Sequence, residues 1–178
     1  MFVSIWIFFT SLISRIRQLF FQKRGPVTGS LYDLEAKSLD GRIIPFSEYR
    51  GKKLLIVNTA SRCGFTNQYR DLQKLHETYR GKLEILAFPS NDFLRQEPGA
   101  NEDIASFCSL NFGVTFQMFE KISVRGKNMH PVYKWLSARS GNSPSWNFCK
   151  YVVDENEQVR GFFQPKIKPL DKRITNLI

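Results

Sequence analysis

The sequence predicts an α/β domain in which a mixed central β-sheet is flanked by helices on both faces. Three features carry that prediction. Lys53 to Ala60 and Leu83 to Phe88 are aliphatic-rich runs of strand length, the pattern of strands buried on both faces. Between them, from about Asn67 to Tyr79, the residues Tyr69, Leu72, Leu75, His76 and Tyr79 recur at helical spacing. Phe148 to Asp154 and Val159 to Phe163 read as a closing antiparallel hairpin. Strand, helix, strand, helix and then antiparallel strands is the order of a layered α/β sheet.

The elements follow in order. Gly25 to Ser30 reads as a boundary, so residues 1–29 form an N-terminal segment with its linker and residues 30–178 the folded domain. Leu31 to Ala36 alternates like a first strand, and Asp40-Gly41 is a hairpin turn signal before the return at Ile43-Ile44. Pro45 to Tyr49 reads as a short turn of helix. After the strand at Leu83, Pro89 to Gly99 is a long loop. Asn101 is expected to cap a helix running to about Leu110, with Glu102 and Asp103 in the first turn, where the dipole favours acids. Val132 to Leu136 reads as helical, and Ser137 to Ser145 as a polar loop.

The first two dozen residues are unlike the rest. Residues 2–13 are apolar and aromatic, but a span of a bilayer takes about 20 residues. Arg15, Arg17, Lys23 and Arg24 follow that stretch, whereas a secretory signal places its basic residues first. The segment fits a membrane-surface anchor through residues 1–24, with the basic patch on the cytoplasmic side, or an export signal of unusual form. The side of the membrane stays open, and a cytoplasmic protein is the alternative.

Composition narrows the class. A hydrophobic content of 42% with 16 Phe excludes a disordered chain. Three cysteines in 178 residues do not make a disulfide scaffold, and no CxxC or Cys/His cluster supplies a zinc pattern. The net charge is +10, but no nucleic-acid-binding signature accompanies it, so the charge reads as solvated surface plus the N-terminal patch.

The chemistry centres on Cys63. The strand ends in Ser61-Arg62-Cys63-Gly64-Phe65-Thr66, just before a helix. Backbone N–H groups and the positive end of a helix dipole favour a thiolate in such a place. By itself the position allows a redox site, an acyl-transfer nucleophile or a core cysteine. An acyl-transfer enzyme needs a histidine within hydrogen-bond reach, for which His130 is the candidate; His76 lies turns away along the helix.

Three motifs in order make the choice. Asn58 to Thr66, Leu86 to Phe93 continuing into Gln96-Glu97-Pro98-Gly99, and Trp146-Asn147-Phe148 resemble the glutathione peroxidase family, as do Phe112 to Phe116 and His130 to Leu136. The resemblance runs from about Ser30 to Pro169. It implies a thioredoxin-like fold and a cysteine-type peroxidase with Cys63 as the peroxidatic residue. The family's partner residues map to Gln96, Trp146 and Asn147, each an uncharged N–H donor able to stabilise thiolate and peroxide oxygen. That chemistry needs no metal and no organic cofactor.

Cys108, in a Phe107-Cys108 segment, matches the resolving cysteine of members reduced by thioredoxin. The resemblance thus implies a Cys63–Cys108 disulfide, formed when the helix carrying Cys108 opens. The implied partners are hydrogen peroxide or organic and lipid hydroperoxides, and a thioredoxin-type reductant, with glutathione or an oxidation-relay client as alternatives. Cys149 is expected to be packing, on a strand with Phe148 on the opposite face. Glu97 is expected to brace the Gln96 loop. The chain departs from the family pattern at Asp92, Gln117 and Pro144-Ser145. Its short loop before Trp146 suggests a monomer.

Overall fold

The computed structural model describes residues 29–178. The expected membrane-associating segment, residues 1–24, lies outside them. Among the described residues no helix is long and apolar enough to cross a membrane.

Five strands form the central sheet: β3 (Lys53–Thr59), β4 (Leu83–Pro89), β5 (Gln117–Met118), β6 (Lys150–Val153) and β7 (Val159–Phe163), in the order β5-β4-β3-β6-β7. β3 and β4 run parallel, Lys53 opposite Leu83 and Thr59 opposite Pro89. β6 returns antiparallel to β3, and β7 antiparallel to β6. The sheet is therefore mixed, as expected. A small hairpin of β1 (Glu35–Lys37) and β2 (Ile43–Pro45) stands beside it, linked where Glu120 N–H donates to Lys37 O.

Strand alternation divides the core in two. Leu54, Ile56, Leu86 and Phe88 face one layer, together with Phe46, Tyr133, Trp135 and Tyr151. Leu55, Val57, Ile85 and Ala87 face the other, with Tyr69, Leu72, Ile104 and Cys108. Helices α1 (Gln68–Thr78) and α2 (Asn101–Phe112) cover the second face, and α3 (Pro131–Ser140) the first. A last turn, α4 (Lys172–Thr175), adds Ile174 to the second face. Because β3 is buried on both sides and central, whatever leaves its C-terminal end is held rigidly.

Four local expectations are corrected. Leu31–Asp33 is a 3-10 turn, not strand, because Ser30 and Asp33 cap it reciprocally; the strand shrinks to Glu35–Lys37. Asn101 does not cap α2. It is the first helical residue, the Asp103 carboxylate accepts the Ala100 N–H, and Asn101 Oδ1 instead accepts the Lys121 N–H. The stretch after Leu136 stays helical to Ser140, because Ser140 Oγ bonds back to Leu136 O and the chain leaves only at Gly141, with φ 69°. The strand at Phe148 starts later, at Lys150, for a reason that belongs to the site.

Candidate active site

Cys63 lies in the turn between β3 and α1, where its neighbours are set by backbone and hydroxyl bonds. Thr66 Oγ1 accepts the Cys63 N–H at 3.0 Å and donates to Ala60 O at 2.8 Å. The Phe65 N–H points at Cys63 Sγ at 3.5 Å. The residue is 9% exposed, at the edge of the buried core. It is five residues short of the first helical residue, so that single N–H, rather than the helix end, is its direct donor.

The Gln96 loop is tied to this turn. Gln96 O accepts the Arg62 N–H at 3.0 Å, and Ser61 Oγ donates to Glu97 Oε2 at 3.1 Å. Glu97 is almost fully buried, and burial raises its carboxyl pKa while the bond from Ser61 offsets part of the rise. Its backbone N–H donates to Asn91 Oδ1, and Lys121 Nζ donates to Glu97 O and Gly99 O. Leu94 and Arg95 both take left-handed backbone, φ 51° and 52°, and so swing Gln96 inward.

Gln96 and Asn147 meet: Asn147 Nδ2 donates to Gln96 Oε1 at 2.9 Å. Asn147 Oδ1 is buried without a partner. The Trp146 ring packs on Phe93 of the Gln96 loop, with centroids 5.8 Å apart. The structure thus joins Gln96, Trp146 and Asn147 to one another and ties their loop to the Cys63 turn. No hydrogen bond runs from these three side chains to Cys63 Sγ.

Cys108 is buried on α2, in the same apolar cluster as Cys63, and both thiols are free. Burial pushes the Cys108 thiol up to about 11, and Glu97 adds to the rise. Cys149 is also buried and free. Phe148 has φ 64°, so the alternation expected to put Phe148 and Cys149 on opposite faces of a strand does not operate there. His130 caps α3, its Nδ1 accepting the Val132 N–H, and its ring lies against Phe88. It therefore does not serve Cys63 as a base. His76 packs on Phe116.

Asp92, one of the departures noted in the sequence, has work of its own. Its Oδ2 accepts Ser123 Oγ at 3.0 Å, the Val124 N–H at 2.7 Å and the Arg125 N–H at 3.2 Å. It thereby pins the 123–125 turn against the start of the Gln96 loop. Asp92→Ala is expected to destabilise the fold by about 1.5–3 kcal/mol, the scale of hydrogen bonds to a charged acceptor. A lower urea midpoint at unchanged slope is the measurement; an unmoved midpoint refutes it.

Sequence reasoning passed over Asn58 as a separate element of the site. A polar residue near the end of an otherwise aliphatic strand was the available signal. Its backbone and side chain hold the Trp146–Cys149 segment.

Comparison with known proteins agrees with this architecture. The glutathione peroxidase family model matches residues 31–137. The glutathione peroxidase of Lactococcus lactis is 44% identical over 156 residues, covering 84% of this chain and 99% of that protein. Glutathione peroxidase-like peroxiredoxin 2 of Saccharomyces cerevisiae is 44% identical over 160 residues, covering 85% and 99%. Among solved structures, T. cruzi GPX1 superposes with a TM-score of 0.65 at 30% identity, over 84% of this chain and 96% of that one. A secreted Mycobacterium tuberculosis disulfide oxidoreductase shares the fold alone, with a TM-score of 0.57 at 12% identity, covering 83% and 96%. On a thioredoxin-like sheet with this match in sequence, the chain belongs to the glutathione peroxidase family and is a peroxidase.

Proposed function

We propose that the chain is a thiol peroxidase acting through Cys63, with Gln96, Trp146 and Asn147 as donors and Cys108 as resolving residue. Its substrates are hydrogen peroxide and organic or lipid hydroperoxides. The observation that carries the reading is the seating of a free thiol in the turn after β3, hydrogen-bonded through its neighbours to a loop whose Gln96 is bonded to Asn147. The Cys63 thiolate attacks the distal oxygen of ROOH, the O–O bond breaks, and the leaving alkoxide takes a proton to give ROH. Cys63 is left as sulfenic acid. Amide and indole N–H groups stabilise the departing oxygen without neutralising the nucleophile.

In the second step the Cys108 sulfur attacks the sulfenic sulfur, a disulfide forms, and water leaves. A thioredoxin-type dithiol then attacks the disulfide, is itself oxidised, and returns both cysteines to thiols. The Saccharomyces cerevisiae relative, named a glutathione peroxidase-like peroxiredoxin, supports a thiol-based cycle. The test is peroxide consumption with thioredoxin or glutathione as the sole reductant. Thioredoxin is expected to support turnover at least about tenfold faster, one power of ten being about 1.4 kcal/mol of barrier. Equal or faster turnover with glutathione overturns the assignment of the reductant. One equivalent of oxidation with no turnover on either overturns the enzyme cycle in favour of a peroxide sensor that hands its oxidation to a client.

A further inference from the structure

We propose that Asn58 and Lys150 clamp the turn carrying Trp146 and Asn147, and that both are positioning residues for the peroxide reaction. The inference rests on the reading that Trp146 and Asn147 serve Cys63. Asn58 spends every polar group it has on one short segment. Its Nδ2 donates to Trp146 O at 2.9 Å, and its Oδ1 accepts the Cys149 N–H at 3.0 Å. Its backbone O accepts the Phe148 N–H at 2.6 Å, and its N–H donates to Cys149 O at 3.3 Å. From the other side, Lys150 Nζ donates to Phe148 O at 2.9 Å and to Ile167 O at 2.8 Å.

The clamp explains a conformation that local preference opposes. Phe148 is fully buried yet has a positive φ of 64°, a backbone conformation that is unfavourable for a non-glycine residue. Strain of this kind persists only where the surroundings over-determine it. The left-handed step ends the regular β3–β6 pairing at Val57–Lys150 and turns the chain so that Asn147 reaches Gln96 and Trp146 reaches Phe93. Asn58 and Lys150 are themselves 0% exposed; removing the Asn58 side chain leaves Trp146 O and the buried Cys149 N–H without these partners, and removing Lys150 does the same to the buried Phe148 O and to Ile167 O. Burial also draws the Lys150 ammonium down to about 8, a cost that its two carbonyl bonds offset. Asn58 lies five residues before Cys63 on the same rigid strand end, so one element sets both the thiol and its donors.

The test separates two reactions of Cys63. Reaction with hydrogen peroxide needs donors aimed at the leaving oxygen, whereas alkylation by iodoacetamide needs only the thiolate. Both rates are measured at Cys63 by peptide mass in Asn58→Leu, in Lys150→Met and in the wild type. The peroxide rate is expected to fall about 10–100-fold, the scale of a small misplacement of catalytic groups, while alkylation changes less than about threefold. A peroxide rate within about threefold of wild type, or a parallel loss of both rates, overturns the proposal. Where Asn58→Leu does not fold, Lys150→Met decides by the same criteria. Trp146→Phe is run alongside. Its failure to slow peroxide reduction refutes the assignment of the donors, whereas a loss there without a loss in the clamp variants refutes the clamp alone.

Discussion

Cys63→Ser is expected to abolish peroxide consumption, a loss on the order of 10³-fold or more, as for other catalytic nucleophiles. The reason is chemical before it is structural. A serine hydroxyl is not ionised near neutral pH and its oxygen does not accept the peroxide oxygen, so the sulfenic acid has no counterpart. The site around it stays built. Thr66 still accepts the residue-63 backbone N–H, Gln96 O still accepts the Arg62 N–H, and Asn147 still reaches Gln96. Thermal unfolding should therefore be unchanged while peroxide loss stops. Retention of more than about a tenth of the activity would mean that Cys108 or Cys149 is the reacting thiol, and would sink the assignment.

The second large effect concerns Cys108→Ser. Thioredoxin-dependent turnover is expected to fall about a hundredfold, while the first oxidation of Cys63 keeps its rate. Intact mass should then show one added oxygen on the variant, and the loss of two hydrogens on the wild type. The structure sets the condition for the bridge. A disulfide needs Cα atoms within about 7 Å, and Cys108 is packed on the buried face of α2. That helix buries only Ile104 and Cys108, against five residues for α1, and Leu110 is 85% exposed. Few buried contacts make α2 the cheaper element to open.

Opening also changes the thiol. In the closed helix burial holds Cys108 protonated at neutral pH, with its pKa at about 11. Exposure lowers that value toward an ordinary thiol, so in the proposed cycle the opened state would supply the attacking thiolate. The bridging rate should climb roughly tenfold per pH unit between about pH 6 and 8, while the thiolate is the minor form. Bridging that is independent of pH, or full thioredoxin turnover by Cys108→Ser, removes Cys108 from the cycle.

The elements that were legible are those whose signal is local. β3 and β4 were readable because a strand buried on both faces is aliphatic along its length, and α1 because its apolar residues repeat with the helical period. β5 was not, since two residues carry no period; Gln117 and Met118 are strand only because β4 lies beside them. The 3-10 turn at Leu31–Asp33 hid behind an alternating pattern that short caps imitate. Phe148 is the sharpest case. Nothing local selects a left-handed buried phenylalanine, and the bonds that impose it come from Asn58, some 90 residues earlier, and from Lys150.

The sequence by itself determined the class of fold and the family, and it supplied the side chains proposed as nucleophile and donors, because residue types and short ordered motifs carry those directly. Tertiary structure alone decided which groups touch. It bonded Gln96 to Asn147 and not to Cys63, gave His130 to a helix cap, buried Cys108 on the inner face of α2 and handed the Trp146 turn to Asn58. The physical reason is that a hydrogen bond between residues distant in the chain depends on the register of strands and the angle of loops. Those are fixed by the packing of the whole core, not by any segment read alone.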